Sequence, residues 1–120
     1  MTALTLHAFF ALGGGLGAVL RHWMSSRITH DLPLATLVVN VLGTLLLGFW
    51  LGQPETGGPD IEHGRRLILG FCGGFTTFSS FAYQTLDLHR TRSIATAAGN
   101  ILASVTLCAL AFLMGTYLSG

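Results

Sequence analysis

Three groups of neutral polar residues stand inside otherwise apolar runs. Asn40 lies in the middle of LATLVVNVLGTLLLGF, with Thr36 and Thr44 four residues to either side and Gly43 three residues on. On a helix these positions share one face. A carboxamide among leucines and valines is costly unless partnered. Asn40 is therefore either a hydrogen bond between packed helices or a donor lining a pathway. A second face of this kind is built by Asn100, Ser104, Cys108, Ala111 and Gly115. It suits a tight helix interface or a narrow polar track.

The third group is GFCGGFTTFSSFAYQT, starting at Gly70. Adjacent glycines make a poor helix interior, and the hydroxyls of Thr76, Thr77, Ser79 and Ser80 compete for backbone partners. The pattern predicts a helix broken near 73–77. Carbonyls freed at such a break are hard oxygen ligands for a small cation, and a bilayer tolerates a break only where the freed groups find partners. Phe78 and Phe81, three apart, share a face, and the edge of an aromatic ring carries partial positive charge. Amide, hydroxyl and ring edge are all neutral donors, the lining that a small anion needs.

These groups are carried by a chain of 120 residues in which 51% are apolar and only 9% charged. An average soluble protein is roughly 25% charged. The six basic residues are all arginine, five acids face them, and the formal net charge is +1. This excludes a disordered tail, a nucleic-acid-binding domain recruited by bulk basicity, and a disulfide scaffold. A chain this short does not hide so much apolar surface from water unaided.

The charges fall in three clusters: Arg21, Arg27 and Asp31; Glu55, Asp60, Glu62, Arg65 and Arg66; Asp87, Arg90 and Arg92. Between them run charge-free stretches of 20, 23, 20 and 28 residues. A bilayer core is crossed by about 20 helical residues. The expected fold is all-α and integral to the membrane, one domain of four transmembrane helices at about 3–24, 33–52, 67–86 and 94–118, the third broken. Trp23 and Trp50 fall near span ends, where indoles favour the interface. LGQPETGGPD at 51–60 reads as a turn-rich loop. The first span lacks the basic n-region of a signal peptide. Cys72 and Cys108 read as buried thiols, and the five histidines as interfacial side chains without metal-ligand spacing.

Four spans place both termini and the 53–66 loop on one side. The arginine tally is then two against four, too even to set one orientation firmly. Dual topology, with antiparallel pairing of two copies, and a single orientation both fit. No Asp, Glu or Lys lies within any span, which argues against a proton-coupled transporter. Arg21, ending the first span, either adds positive potential at a pore mouth or snorkels to the headgroups. The Gly13/Gly17 and Gly70/Gly74 pairs have small-xxx-small spacing and point to close helix packing. No nucleophile–base pair, metal cluster or phosphate loop is present, so an enzyme is not expected.

GGGLGAVLRH at 13–22, TLVVNVLGTLLLG at 36–48 and GFCGGFTTFSSF at 70–81 occur in the order of a known family. In these motifs, and along its whole length, the chain resembles the bacterial fluoride channels called Fluc or CrcB. The resemblance implies an antiparallel, dual-topology homodimer in the inner (plasma) membrane with two narrow pathways for fluoride, exported passively to protect against its toxicity. It implies a structural Na+ at the dimer centre, held by backbone carbonyls of Gly73 and Thr76. It makes Phe78 and Phe81 ring-edge contacts to fluoride and Asn40 a pore-side donor. Ser79, Ser80 and Ser104 would continue the polar path, with Arg21 at the mouth. Three positions depart from the family: Asn100 for a tyrosine, Gln84 for an acid, and Cys108 for a serine or threonine. Two other classes are open from the residues alone: a coupled transporter of a small ion, and a membrane assembly protein whose polar residues only join helices.

Overall fold

The computed structural model describes residues 3–28, 33–53 and 59–120, with the side chains of 59 and 60 excepted. His30, Asp31 and residues 54–58 of the 51–60 stretch, Glu55 among them, lie outside the described residues. Among the described residues five helices follow one another: α1 (Ala3–Arg27), α2 (Leu34–Leu51), α3 (Pro59–Phe75), α4 (Phe78–Thr91) and α5 (Ile94–Ser119). No strand occurs among the described residues. Helices α1, α2 and α5 are long and apolar enough to cross a membrane. Helices α3 and α4, of 17 and 14 residues, are each shorter than the roughly 20 residues a crossing takes.

The helices extend beyond the charge-free stretches. Helix α3 starts at Pro59 rather than near 67 and includes the charged turns read as loop. Proline is well placed at a first helical position, where its missing N–H is not needed. One turn in, Arg66 Nε donates to Glu62 Oε1 at 3.3 Å, an i,i+4 pair that supports a helical surface. Helix α4 likewise runs past Asp87 to Thr91, with His89 and Arg90 in its last turn, where the helix dipole favours positive charge. Ser93 then starts α5, its hydroxyl accepting from Thr96 N at 3.1 Å.

Two seams of glycine hold the bundle together. Along α1 and α3 the glycines interlock reciprocally. A Cβ on Gly13 would strike the Leu67 carbonyl, and one on Gly17 that of Phe71. In return, Cβ atoms on Gly70 and Gly74 would strike the carbonyls of Phe10 and Gly14. Between α2 and α5, Gly48 lies on the Phe112 carbonyl and Gly115 on that of Leu45. Backbone-to-backbone approach of this kind supplies the van der Waals contact that replaces the hydrophobic effect inside lipid. Helix α4 packs chiefly on α5 and only lightly on α2.

Among the described residues few large side chains are buried within the chain: Val39, Phe75 and Leu88 are. Val19, Leu102, Leu113, Tyr83 and Tyr117 point outward. Apolar side chains exposed in this number suit a lipid environment and not water. Trp23 is exposed with the Arg27 guanidinium 5.3 Å from its ring centre. Trp50, by contrast, has a buried Nε1.

Candidate functional site

The site is built around the gap between α3 and α4. Only Thr76 and Thr77 are non-helical there, and Thr77 is extended (φ −150°, ψ 123°). The gap lies within the expected window, but the glycines are not where the helix opens: Gly73 and Gly74 are still helical. The opening is held by the side chain of Asn40. Its Oδ1 accepts from Thr77 N at 2.8 Å and its Nδ2 donates to Thr77 O at 3.0 Å. One amide side chain thus satisfies both backbone polar groups of Thr77, which would each be expensive to leave bare in lipid. Thr44 Oγ1 donates to the Asn40 carbonyl at 2.5 Å.

Other bonds set the two helix ends. Thr76 Oγ1 and Thr76 N both donate to the Cys72 carbonyl, at 2.8 and 3.0 Å. From α1, Arg21 Nε donates to the Gly74 carbonyl at 3.0 Å. Thr77 is the N-cap of α4, its hydroxyl accepting from Ser80 N at 3.2 Å and lying 3.3 Å from Ser79 Oγ.

These bonds decide which carbonyls the break releases. In a continuous helix Gly73 O would accept from Thr77 N, and Thr76 O from Ser80 N. Here Thr77 N goes to Asn40 and Ser80 N to Thr77 Oγ1. By the same count Gly74 O and Phe75 O lose Phe78 N and Ser79 N, and Gly74 O takes Arg21 Nε instead. Gly73 O, Phe75 O and Thr76 O are thereby left with coordinating capacity, hard oxygen donors at the partially negative C-terminal end of α3. They fit a small hard cation.

Beside the gap opens a cavity of about 420 Å³. Asn40, Gly73, Thr76, Phe78, Phe81 and Ser104 all line it, so one space gathers six of the residues singled out from the sequence. Ser79, Ser80 and Arg21 do not line it. Ser79 is exposed, while Ser80 and Arg21 make the backbone bonds described above. Phe78 and Phe81 have ring centres 5.8 Å apart, tilted by 50°. Phe81 is half-buried, whereas Phe78 is 78% exposed. Leu47, Leu69 and Val105 complete an apolar wall, and among the described residues no Asp, Glu, Lys or Arg lines the space. Its polarity comes from dipoles: the Asn40 amide, the Ser104 hydroxyl, and the N-terminal end of α4, which carries partial positive charge. Asn40 Nδ2 carries two hydrogens, of which Thr77 O takes one.

Two cavity residues were not marked out by the sequence as a pair: Cys72, buried, and Cys108, half-buried. Cys108 follows Ser104 by one helical turn, and that spacing was the available signal. Thr77 was visible only as one hydroxyl among four. Its spacing of three from Ser80, at the start of a helix, marks it as a cap. Of the departures, Asn100 Nδ2 donates to Thr85 Oγ1 at 3.0 Å, and Gln84 has a buried Oε1 without a hydrogen-bond partner.

A family model described as CrcB-like protein, Camphor Resistance (CrcB), matches residues 8–116. Several curated relatives carry the name Fluoride-specific ion channel FluC. One from Methylobacterium radiotolerans is 41% identical over 110 residues, spanning 87% of this chain and 77% of the relative. One from Opitutus terrae is 40% identical over 119 residues, spanning 93% and 90%. One from Pyrococcus horikoshii is 40% identical over 115 residues, spanning 89% and 93%.

Proposed function

The chain belongs to the CrcB-like family, and from that premise we propose that it is a membrane channel, not an enzyme, that lets fluoride leave the cell down its electrochemical gradient. The observation that carries this reading is the uncharged cavity at the break, where Asn40, Ser104, Phe78 and Phe81 present neutral donors beside an apolar wall. Fluoride holds its water tightly. A site that passes it must offer close hydrogen-bond donors in place of that shell, the principle by which other selective pores work. The free hydrogen of Asn40 Nδ2 and the Ser104 hydroxyl are such donors, and the ring edges add partial positive charge. A carboxylate would repel the ion, and a lysine or arginine would hold it too firmly to let it go. From acidic surroundings fluoride enters the cell as neutral HF, ionises at the neutral pH inside and leaves through the channel, which protects the cell.

The working unit in this reading is an antiparallel homodimer of dual topology in the inner membrane. Each chain crosses four times, with α3 and α4 together forming a broken third span. The exposed Phe78 supports a partner: it lines the cavity, yet most of its ring is left uncovered within one chain. The Gly73 and Thr76 carbonyls of both copies would hold a Na+ at the centre. That ion supplies a fixed positive charge and joins two broken helices whose carbonyl ends otherwise repel.

A second reading, a membrane assembly protein, draws on the Asn40–Thr77 bonds, which join α2 to the break whether or not an ion passes. Purified protein in liposomes loaded with potassium fluoride or potassium chloride and triggered with valinomycin separates the readings. The expected result is rapid fluoride release with chloride retained. Folded protein that releases neither ion would favour the assembly reading. Fluoride release that stops without a proton gradient would indicate a coupled transporter.

A further inference from the structure

The Phe78–Phe81 ring pair is bracketed by two ties. Before it, the Thr77 peptide is held by Asn40 of α2. After it, Asn100 of α5 donates from Nδ2 to Thr85 Oγ1 at 3.0 Å, and Thr85 Oγ1 donates to the Phe81 carbonyl at 2.8 Å. The single hydroxyl hydrogen of Thr85 goes to Phe81, so Thr85 can only accept from Asn100. That sets which end of the amide faces it. The relay ends on the backbone of Phe81 itself, and in a low-dielectric setting such linked bonds strengthen one another. Neither Asn100 nor Thr85 lines the cavity.

Turning α4 by one residue's step moves its side chains by about 100°. It would swing both rings and break the Asn100–Thr85 bond together. We infer that Asn100 and Thr85 are positioning residues for the ring pair: the cross-helix bond sets the rotational phase of α4, and through it the direction of the ring edges at the cavity and the discrimination between small anions. This rests on the reading of the cavity as an ion pathway. Helix α4 has need of such a tie, because it lacks the glycine seams that hold α1 to α3 and α2 to α5.

The test uses the full chain in liposomes with Thr85→Val, Asn100→Leu, their combination, and Thr85→Ser, which keeps the hydroxyl. Each single change is expected to lower the fluoride-to-chloride release ratio by about tenfold, the scale of one lost hydrogen bond. The double variant should be no less selective than the worse single one, and Thr85→Ser should retain most of the selectivity. Should Asn100→Leu fail to assemble, Asn100→Ala removes the amide without bulk and is read by the same criteria. Unchanged ratios in the single variants overturn the inference, as does a double variant whose loss is the product of the two. Wild-type protein that releases no fluoride sinks the pathway reading instead. The tie is then judged by amide hydrogen exchange over 78–85: faster exchange in Thr85→Val than in wild type upholds it, and equal exchange overturns it.

Discussion

The side-chain amide of Asn40 meets the peptide of Thr77 group for group, accepting from its N–H at 2.8 Å and donating to its carbonyl at 3.0 Å. A residue from one helix thereby stands in for the missing turn of another. It leaves the backbone groups of Thr77 partnered inside an apolar bundle.

Replacing Asn40 tests this directly. Asn40→Leu strips both partners from Thr77, at about 1–3 kcal/mol for each group left unsatisfied. Lower thermal stability in detergent is expected together with lost fluoride release. Asn40→Asp keeps the acceptor but sets an oxygen against the Thr77 carbonyl. It should abolish release even in samples that purify normally. Wild-type stability in Asn40→Leu would mean that the gap is held by something else.

Phe78 is expected to separate conduction from folding. Its ring is 78% exposed within the chain, so Phe78→Ile removes little internal packing. Fluoride release should fall by about tenfold or more with the loss of the aromatic edge, while helicity by circular dichroism stays at the wild-type level. Parallel loss of fold and flux would return the ring to a purely structural role.

Two adjacent glycines should respond in opposite ways. A Cβ on Gly74 would strike the Gly14 carbonyl, whereas one on Gly73 meets nothing within 4 Å. Gly74→Ala is expected to destabilise the α1–α3 seam by about 1–3 kcal/mol. Gly73→Ala should leave the packing within the chain intact and favour the helix by up to about 1 kcal/mol. Thermal melts of the two variants, side by side, give the comparison.

Cys108 offers a chemical probe of the cavity. It is half-buried on the lining, while Cys72 is buried. A small methanethiosulfonate reagent should form a mixed disulfide at Cys108 and stop fluoride release. Cys108→Ser should conduct and resist the reagent. Equal inhibition of both proteins would place the modified thiol elsewhere.

Much of this was legible in the sequence, for reasons that also mark the limit. The charge-free runs located α1, α2 and α5 closely, because lipid sets the length of an apolar stretch. The same rule missed the helical turns 59–66 and 87–91, since a helix does not stop where the membrane does. The Gly73-Gly74 pair drew attention to the right place for a different cause. Gly74 is needed for contact with α1, and the opening one turn later is made by Asn40 reaching in from α2, a tertiary bond that no local pattern encodes. Ser79 and Ser80 illustrate phase: once α4 starts afresh at Phe78, they fall off the cavity lining while Ser104, a distant residue, falls on it.

The two glycine seams assign the halves of the interrupted element to different neighbours. Helix α3 is clasped by α1, while α4 leans on α5, itself clasped by α2. Thr76 and Thr77 are therefore a joint between two stiff levers. Helix α2 reaches across that joint, packing on α3 and more lightly on α4, and grips Thr77 through Asn40.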